Sequence, residues 1–515
     1  MTTTDPHPEP VDRRPRDETL RIDVAVVGGG VSGLATAYRL VDRLGADASV
    51  VVLESADRPG GKVTTRTVAG LPVDTGPDAF LSRAPELGEL VARLGLAADV
   101  TGPLPGGAFV WSRGALHPIP AGGFFGIPDR VLPLLRSRLL SPAGVLRAGA
   151  DLVRPRTPLR DDPSVADVVR PRLGTEAYDR LVQPLLGGVH AGDAARLSAA
   201  STVPEVLGIA RGGRSLVLSL RARRRAMPTP SAPPVPPLVS LRGGMTRFVD
   251  ALVDAIGPSR VRTSSPVLAM RRVDDAWLLE TPRGRVMATS VVLAAPAYVT
   301  ADLVDAVAPG LARELRAIEY VGVANVTLAL PRSEVGDLVG TGFLVPPVEH
   351  DIVVGCTWLT SKWPHLAGHD VVLVRCMVGR DGDQRWLDME DDELVAAVRA
   401  SLAHMMGLTA APTEVLVQRW PAAMPQYAVG HGARLAAIDA LVADLPAVRL
   451  TGAAYRGAGL AGCVSSAWRT ADAVVDAMAP TDSALAGPTA TSTDVRVVDP
   501  ELTIDASPLV RGASR

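Results

Sequence analysis

The fold of this chain is decided by residues 22–54, which read IDVAVVGGGVSGLATAYRLVDRLGADASVVVLE. The apolar run Ile22–Val27 has the length and composition of a strand, and Val31–Leu44 repeats its apolar residues at helical spacing. A second apolar run, Ala48–Leu53, follows the helix. Strand, glycine turn, helix and strand in this order predict a compact βαβ unit.

The turn between the first strand and the helix has the pattern G-x-G-x-x-G. It consists of Gly28, Gly29, Gly30, Val31, Ser32 and Gly33. In such turns the first glycine permits the tight bend, and the second lets a pyrophosphate approach the backbone. The third glycine lets the helix pack closely on the strand. Free N–H groups and the positive end of the helix dipole then favour phosphate.

An acidic residue, Glu54, ends the second strand 21 residues beyond Gly33. A carboxylate at this place accepts hydrogen bonds from ribose hydroxyls and repels a 2′-phosphate. Strand, glycine pattern and acid together predict a dinucleotide site. The alternative is a doubly wound sheet that holds no nucleotide.

FAD is favoured over NAD by the residues that follow. The segment Arg58–Lys62, RPGGK, resembles the R-x-G-G motif of flavoproteins, which extends the contact with the pyrophosphate. Lys62 can offer a cation to phosphate or flavin, or it can be an exposed turn lysine. In Val73–Phe80, VDTGPDAF, a strand end opens into a Gly-Pro turn that can bring backbone N–H groups near a flavin ring. Asp78 is a candidate general base, although a helix N-cap fits its position better.

A second strand, glycine turn and helix occur near the C-terminus, in Leu450–Val464, which reads LTGAAYRGAGLAGCV. The helix is expected over Val464–Met478, and its dipole can stabilise negative charge on a reduced flavin. Upstream lies Arg419–His431, which reads RWPAAMPQYAVGH. We expect these segments to close the flavin site.

Composition argues against several other classes of function. The 53 basic and 55 acidic residues give a net charge of −2, which provides no long-range field for nucleic acid or an anionic membrane. The three cysteines form no CxxC pair and the eight histidines are scattered, so neither a disulfide framework nor a metal site is expected. No apolar run reaches the roughly 18 residues of a membrane span, and the polar N-terminus lacks the core of a signal peptide. A soluble, cytoplasmic protein is expected.

The order of elements predicts an α/β fold: an FAD-binding Rossmann-like domain with an inserted mixed-sheet substrate domain and a helical subdomain. The expected segments are a disordered N-terminal tail (1–20), a discontinuous FAD-binding domain (21–85, 241–298 and 416–480), a helical subdomain (86–210), a flexible loop (211–240), a substrate-binding domain (299–415) and a loosely ordered C-terminal tail (481–515).

The flexible loop is expected because a basic run, Arg221–Arg225, precedes a stretch rich in proline and serine. We interpret the basic run as a solvated helix end rather than a surface for acidic ligands or lipid. Further strands are expected at Val261–Arg272, Trp277–Glu280, Val291–Ala295, Val323–Leu330 and Val371–Met377, and a further helix at Asp391–Met406.

From about residue 21 to residue 480 the chain resembles the porphyrinogen oxidases of haem synthesis, within the amine oxidase-like flavoprotein superfamily. GGGVSGL is shared by several branches of the superfamily. GGK, GPDAFL, PLLGGVHAGD at 184–193 and RWPAAMPQYAVGH are more specific. Thr263–Leu268 resembles the strand that contacts adenine, centred on Val267.

The resemblance implies contacts with non-covalent FAD at Gly28–Gly33, Glu54, Ser55, Lys62, Gly76, Pro77, Asp78, Ala79, Val267, Trp420, Leu460, Ala461 and Gly462. Relatives often have Ile-Pro-Asp-Cys where this chain has Leu460–Cys463, so only backbone contacts are carried over at that place. A covalent flavin at Cys463 is not expected, because the partner motif of such flavoproteins is absent from the sequence.

The resemblance also implies the chemistry. A hydride leaves a meso carbon of the porphyrinogen for flavin N5 while a ring nitrogen loses a proton, and O2 reoxidises the flavin to give H2O2. Three such rounds, with tautomerisation, produce the porphyrin. The cofactor performs the redox step, so no catalytic residue is assigned.

Similarity to soluble Gram-positive enzymes implies coproporphyrinogen III as the substrate. Its four propionates need basic or polar partners, for which Arg83 is the candidate, with a solvated surface arginine as the alternative. We interpret Phe80, Phe124 and Phe125 as core residues rather than contacts of the macrocycle.

Other functions stay open. Protoporphyrinogen IX oxidase is the nearest alternative, because sequence separates the two substrates poorly. An amine oxidase usually has two aromatic rings at its flavin, and aromatic residues are only 4% of this chain. An inactive flavin-binding partner of the iron-inserting enzyme is opposed by intact motifs at both ends. Transfer of the product to a ferrochelatase is a hypothesis that rests on the instability of free porphyrins.

Overall fold

The first βαβ unit forms as the sequence predicts. In the computed structural model its helix spans Val31–Leu44, and the flanking strands span Thr19–Val27 and Val50–Leu53. The first strand therefore begins inside the predicted N-terminal tail. The structure describes residues 19–156, 158–226 and 236–479. The rest of that tail, the predicted C-terminal tail and residues 227–235 of the predicted loop lie outside the described residues.

Strands and helices are numbered along the chain. The strands are β1 (Thr19–Val27), β2 (Val50–Leu53), β3 (Thr65–Val68), β4 (Leu71–Asp74), β5 (Phe80–Leu81), β6 (Val100–Thr101), β7 (Ala108–Ser112), β8 (Ala115–Pro118), β9 (Leu238–Leu241), β10 (Val261–Arg262), β11 (Ala269–Val273), β12 (Ala276–Thr281), β13 (Gly284–Leu293), β14 (Tyr320–Pro331), β15 (Gly342–Leu344), β16 (Val353–Trp358), β17 (Val371–Val378), β18 (Glu414–Pro425) and β19 (Val448–Leu450).

The helices are α1 (Val31–Leu44), α2 (Pro85–Arg93), α3 (Val131–Ser137), α4 (Pro142–Gly149), α5 (Val165–Leu173), α6 (Thr175–Ala177), α7 (Gln183–His190), α8 (Ala199–Thr202), α9 (Pro204–Gly212), α10 (Leu216–Ala226), α11 (Thr246–Ile256), α12 (Ala297–Val304), α13 (Pro309–Arg316), α14 (Arg332–Val335), α15 (Leu359–Lys362), α16 (Asp391–Met406), α17 (His431–Ala443) and α18 (Gly459–Met478). The described residues up to Ala477 belong to one compact unit.

A seven-stranded sheet carries the glycine turn. Its strand order is β10-β2-β1-β13-β12-β11, and β19 pairs with the last residues of β13. Strands β10, β2, β1, β13 and β19 run parallel to their neighbours, whereas β12 and β11 form an antiparallel extension. The carboxyl ends of β1, β2, β13 and β19 therefore meet at one edge, where open α/β sheets bind their ligands.

A second seven-stranded sheet has the order β18-β14-β17-β16-β15-β7-β8. Its neighbouring strands are antiparallel except β15 and β7. Two predicted domain assignments are wrong here. Strands β7 and β8 fall in the predicted helical subdomain, and most of β18 falls in the predicted FAD-binding segment. Strand β7 pairs with β15 and β18 pairs with β14, both far away in the sequence, so the local pattern does not reveal which sheet these strands join.

Helices α3 to α10 pack around one apolar core, in which Leu134 is fully buried. The prediction of a flexible loop at 211–240 is wrong, because the described parts of this range include α10 and most of β9. Helix α10 forms because its apolar residues pack on this core and buried Asp151 accepts the Val217 N–H at 3.0 Å. The basic run 221–225 is the exposed end of α10, as predicted.

Two further element predictions are wrong, whereas α16 has the predicted bounds. The strand predicted at Val261–Arg272 splits into β10 and β11, and Thr263–Leu268 between them is not a strand. There the Ser265 N–H donates to the Glu54 carbonyl at 2.8 Å, which carries the chain across the end of β2 instead of along a strand. Helix α18 begins one turn before the predicted Val464.

Across the described ranges, no helix is both long enough and apolar enough to cross a bilayer. The longest, α18, contains Arg469, Asp472 and Asp476 within its 20 residues. The same ranges contain no group of three or more His, Cys, Asp or Glu side chains that could hold a metal ion.

Candidate active site

The glycine turn leaves an open approach to helix α1. Gly28 has a φ of +107°, and a Cβ on Gly33 would lie 1.9 Å from the Gly28 carbonyl oxygen, so both positions require glycine. Gly30 differs, because its φ is −69° and a Cβ there would have no described atom within 4 Å. Among the described residues, no side chain caps α1 and no acid lies in its first turn. The helix therefore presents free N–H groups to an open space, which fits a pyrophosphate.

Glu54 lies buried at the end of β2 and faces this turn. One carboxylate oxygen accepts the Gly29 N–H at 2.6 Å. The other accepts the Ala56 N–H at 2.8 Å and the exposed Ser55 hydroxyl at 3.2 Å. A carboxylate oxygen can accept more than one hydrogen bond, so ribose hydroxyls can bind beside these donors. Val267 is half-buried against the core of the first sheet, and its contact with adenine stays a prediction.

Lys62 is held inside the protein. The Gly60 N–H donates to the Gly29 carbonyl at 2.8 Å, which packs the RPGGK segment against the glycine turn. The Lys62 ammonium donates to the Ala423 carbonyl at 2.6 Å and lies 5.9 Å from the centre of the Tyr320 ring. Burial lowers the pKa of Lys62. The alternative of an exposed turn lysine is therefore wrong, and this ammonium joins the nucleotide side of the site to β18.

The Gly76 turn is fastened to the second sheet. A Cβ on Gly76 would lie 1.9 Å from the Lys62 carbonyl oxygen, so this contact requires glycine. The Thr75 carbonyl accepts hydrogen bonds from the Asn325 amide at 2.8 Å and from the Trp420 indole N–H at 3.1 Å. Sequence reasoning missed Asn325, although it is a lone amide within the apolar strand β14 and could have been noticed.

Asp78 is neither a general base nor a helix N-cap. Its carboxylate lies 3.1 Å from the Lys362 ammonium and 3.1 Å from the Arg375 guanidinium, and it accepts the Trp363 indole N–H at 3.2 Å. The N-cap of the next helix, α2, is Ala84. Burial by itself raises the pKa of Asp78, but the two cations and the hydrogen bonds bring it well below its usual range. The carboxylate stays charged and paired, so its role is to hold the turn in place.

The neighbours of Asp78 differ in exposure, with Pro77 and Arg83 exposed and Ala79 half-buried. Arg83 lies on the turn before α2, and its contact with a propionate stays a prediction. Phe80 is buried, and Phe124 and Phe125 form an edge-to-face pair packed on the core of the helical region. The core packing predicted for these three rings is confirmed.

The turn before α18 and the first turn of α18 each contain a position that requires glycine. Gly457 has a φ of +104°, and a Cβ on Gly462 would lie 2.4 Å from the Gly457 carbonyl oxygen. Leu460 is buried, and Ala461 is half-buried in the first turn of α18. The predicted contacts of Leu460, Ala461 and Gly462 with flavin are therefore contacts of a helix N-terminus.

The N-terminal end of α18 lies beside the first turn of α1. Burial raises the pKa of the Cys463 thiol, while the Ser32 hydroxyl and the Lys62 ammonium are near enough to oppose part of that rise. Ser32 is in the first turn of α1, and Cys463 is the fifth residue of α18. The structure thus brings together three segments that the sequence singled out: the glycine turn, RPGGK and the C-terminal helix.

A small, mostly buried apolar cluster, here called the Trp420 cluster, adjoins these segments. It consists of buried Ala191, Val321, Val323 and Ala423 with half-buried Trp420 and Met424. Ala191 ends the PLLGGVHAGD helix, α7, and the pairing of β14 with β18 is bulged between Val321 and Val323. Bulges of this kind re-aim side chains beside active sites.

A family model described as flavin containing amine oxidoreductase matches residues 31–475. The chain belongs to this family. The chain is 31% identical to a Bacillus subtilis protein named coproporphyrinogen III oxidase, over 86% of this chain and 95% of that protein. It is 35% identical to a Mycobacterium tuberculosis protein of the same name, over 88% of this chain and 97% of that protein.

A crystal structure from Exiguobacterium, of a protein named for protoporphyrinogen oxidase activity, superposes with a TM-score of 0.80. It is 30% identical to this flavoprotein, and the match covers 89% of this chain and 99% of that one. The mixed α/β architecture with two large sheets is therefore that of the family. A flavin family with a dinucleotide-binding βαβ unit uses FAD, and the open helix N-terminus at Gly30 with the buried carboxylate of Glu54 fits that cofactor.

Proposed function

We propose that this flavoprotein oxidises coproporphyrinogen III to coproporphyrin III with O2, in haem biosynthesis. The proposal rests on the shared name of the Bacillus and Mycobacterium relatives, which match over nearly their whole length. Coproporphyrinogen III loses six hydrogen atoms in becoming the porphyrin, so three O2 are consumed and three H2O2 are released. Bound FAD supplies the redox chemistry, since it accepts hydride equivalents and passes electrons to O2.

The residues around the glycine turn hold the cofactor in this proposal. The N-terminus of α1 binds the pyrophosphate over Gly30, and Glu54 orients the ribose on the adenine side. Lys62 places a positive charge near phosphate or flavin. The first turn of α18, Leu460–Gly462, offers backbone N–H groups and a helix dipole to the negative charge of a reduced flavin.

We propose that the Trp420 cluster contacts the apolar part of the porphyrinogen ring. Its buried aliphatic side chains exclude water from the path of the hydride. Asp78 is a poor base, because the paired Lys362 and Arg375 cations lower the pKa of its carboxyl and so its affinity for a proton. The proton of the ring nitrogen therefore leaves without Asp78, and we assign no catalytic residue. Arg83, exposed on the turn before α2, is the proposed partner of a propionate.

The FAD is proposed to be non-covalent. A thioether to flavin would require Cys463 to react as a thiolate. Burial raises the pKa of this thiol, and the opposing influence of Lys62 and Ser32 is the smaller one. A test is to denature the purified protein with acid: we expect the yellow chromophore in the supernatant and none on the precipitated chain.

Protoporphyrinogen IX is the second candidate substrate, favoured by the name of the Exiguobacterium structure. The deciding experiment is to prepare both porphyrinogens anaerobically and follow porphyrin fluorescence after addition of air and FAD-loaded protein. Faster formation of coproporphyrin supports the proposal, whereas faster formation of protoporphyrin selects the second candidate. Bound FAD with neither porphyrinogen oxidised would contradict both and favour an amine oxidase or a non-catalytic partner.

We further propose that the protein acts in the cytoplasm and passes its product to a ferrochelatase. The physical reason is that free porphyrins are unstable and sparingly soluble. In a coupled assay, an excess of a porphyrin-binding trap protein should then leave the yield of metallated product unchanged. A yield that falls in proportion to the trap would show release into solution.

A further inference from the structure

The segment Gln426–His431, QYAVGH, contacts the turn before α18 through two aromatic side chains. Tyr427 is buried, and its hydroxyl donates to the Ala453 carbonyl at 2.6 Å. The Nε2 atom of buried His431 lies 3.2 Å from the Tyr455 carbonyl oxygen. Both contacts fasten the loop that separates β19 from α18.

The two side chains form one rigid unit. Their rings are stacked, with centroids 4.3 Å apart and planes 13° apart. Hydrogen bonds in such a buried place are strong, and removing one donor leaves a carbonyl without its partner. The turn's own bond from the Tyr455 N–H to the Gly452 carbonyl is long at 3.3 Å. The Tyr427–His431 stack therefore supplies two of the contacts that hold the turn.

The backbone of the same segment pairs with the helical region. The Ser198 N–H donates to the Tyr427 carbonyl at 2.8 Å, and the Val429 N–H donates to the Arg196 carbonyl at 2.9 Å. These two backbone hydrogen bonds form a short bridge between the segment and the helical region. The Asp162 carboxylate stabilises the bridge by accepting a backbone N–H from the segment at 2.7 Å. One face of the segment thus holds the turn before α18, and its backbone holds the chain that follows α7.

We propose that Tyr427 and His431 are positioning residues for FAD, which fix the turn before α18 and couple it to the helical region through the bridge to Ser198. The turn must keep its shape because the N-terminus of α18 has to face the flavin while Cys463 packs beside Ser32 and Lys62. The inference depends on FAD as the cofactor and is independent of the identity of the substrate.

Tyr427→Phe tests the proposal, because it keeps the ring and the stack and removes only the hydroxyl. Loss of one buried hydrogen bond to a carbonyl should raise the dissociation constant of FAD by about 5- to 30-fold. The constant is measured from the flavin fluorescence released when purified holoprotein is diluted. In hydrogen–deuterium exchange of the holoprotein, peptides from the turn and from around Ser198 should both exchange faster than in the wild type.

Tyr178→Phe is the matched control. This buried tyrosine lies in the helical region, where its hydroxyl is 3.4 Å from the Gln183 side chain. Its loss should lower thermal stability without changing FAD affinity. His431→Gln, which keeps a donor but loses the stacked ring, should also weaken FAD binding, and it decides the question if Tyr427→Phe does not fold.

The outcomes separate the parts of the proposal. Wild-type FAD affinity in Tyr427→Phe would overturn the positioning role. Weakened binding with unchanged exchange around Ser198 would overturn the coupling to the helical region. A wild-type protein that oxidises no porphyrinogen, together with the expected effects on FAD, would refute the proposed substrate and leave this inference standing.

Discussion

Gly30→Ala separates the cofactor role of the glycine turn from its structural role. Gly30 has a φ of −69° and open space at its Cβ, so alanine fits without strain. Stability without FAD should stay the same or rise by about 0.4–1 kcal/mol, because alanine restricts the unfolded chain. In the proposed site the pyrophosphate approaches the backbone at this glycine, so the methyl group should displace it from the N–H groups of α1. Loss of one charge-assisted hydrogen bond, about 1.5–3 kcal/mol, weakens FAD binding by about 10- to 160-fold.

The assay for Gly30→Ala has two parts: urea unfolding of the apoprotein, and FAD titration followed by quenching of flavin fluorescence. Gly208→Ala, at another open position in α9, is the matched control and should bind FAD normally. Gly33→Ala should fail to fold, because its Cβ overlaps the Gly28 carbonyl. Wild-type FAD affinity in Gly30→Ala would refute the placement of the pyrophosphate, and a large loss of apoprotein stability would refute the open space.

Two further predictions concern the carboxylates of the Gly76 turn. Asp78→Asn leaves the half-buried Lys362 and Arg375 cations without their anion and should lower the free energy of unfolding by up to about 3–5 kcal/mol in urea titrations. As a control, Asp305→Asn breaks an exposed ion pair and should lower the free energy of unfolding by less than about 1 kcal/mol. Equal losses in the two variants would contradict the role of Asp78 in holding the Gly76 turn. Burial raises the pKa of Asp74 to about 6, so the folded chain keeps a proton that an unfolded aspartate releases near pH 3.9. Stability relative to Asp74→Asn should therefore fall as pH rises from about 4 to 6, and a constant difference in melting temperature would exclude this linkage.

The nucleotide side of the site could be predicted from the sequence because its determinants are local. Gly28, Gly30, Gly33 and Glu54 lie within one βαβ unit, and each acts through backbone geometry or the end of a strand. Helix α1 accordingly has the predicted bounds. The predicted loop 211–240 failed for the opposite reason, since α10 depends on a core built by distant helices.

Asp78 shows why the contacts between the Gly76 turn and the second sheet could not be predicted from the sequence. Local rules favoured an N-cap, whereas its ionic partner Lys362 lies 284 residues further along the chain. A buried carboxylate needs a cation, but the sequence does not say which of the 53 basic residues the fold will bring to it.

The scarcity of lysine in the sequence was a further indication of the site. Lysine occurs only at positions 62 and 362, so the other basic residues, 51 of the 53, are arginines. The compact ammonium of lysine and the planar, five-donor guanidinium of arginine are not interchangeable, so two lysines among so many arginines were worth following. Lys62 donates to the Ala423 carbonyl in a buried place beside Cys463, and Lys362 shares the Asp78 carboxylate with Arg375. Both lysines therefore lie at the candidate active site, on segments more than 200 residues apart that neither motif nor periodicity connects.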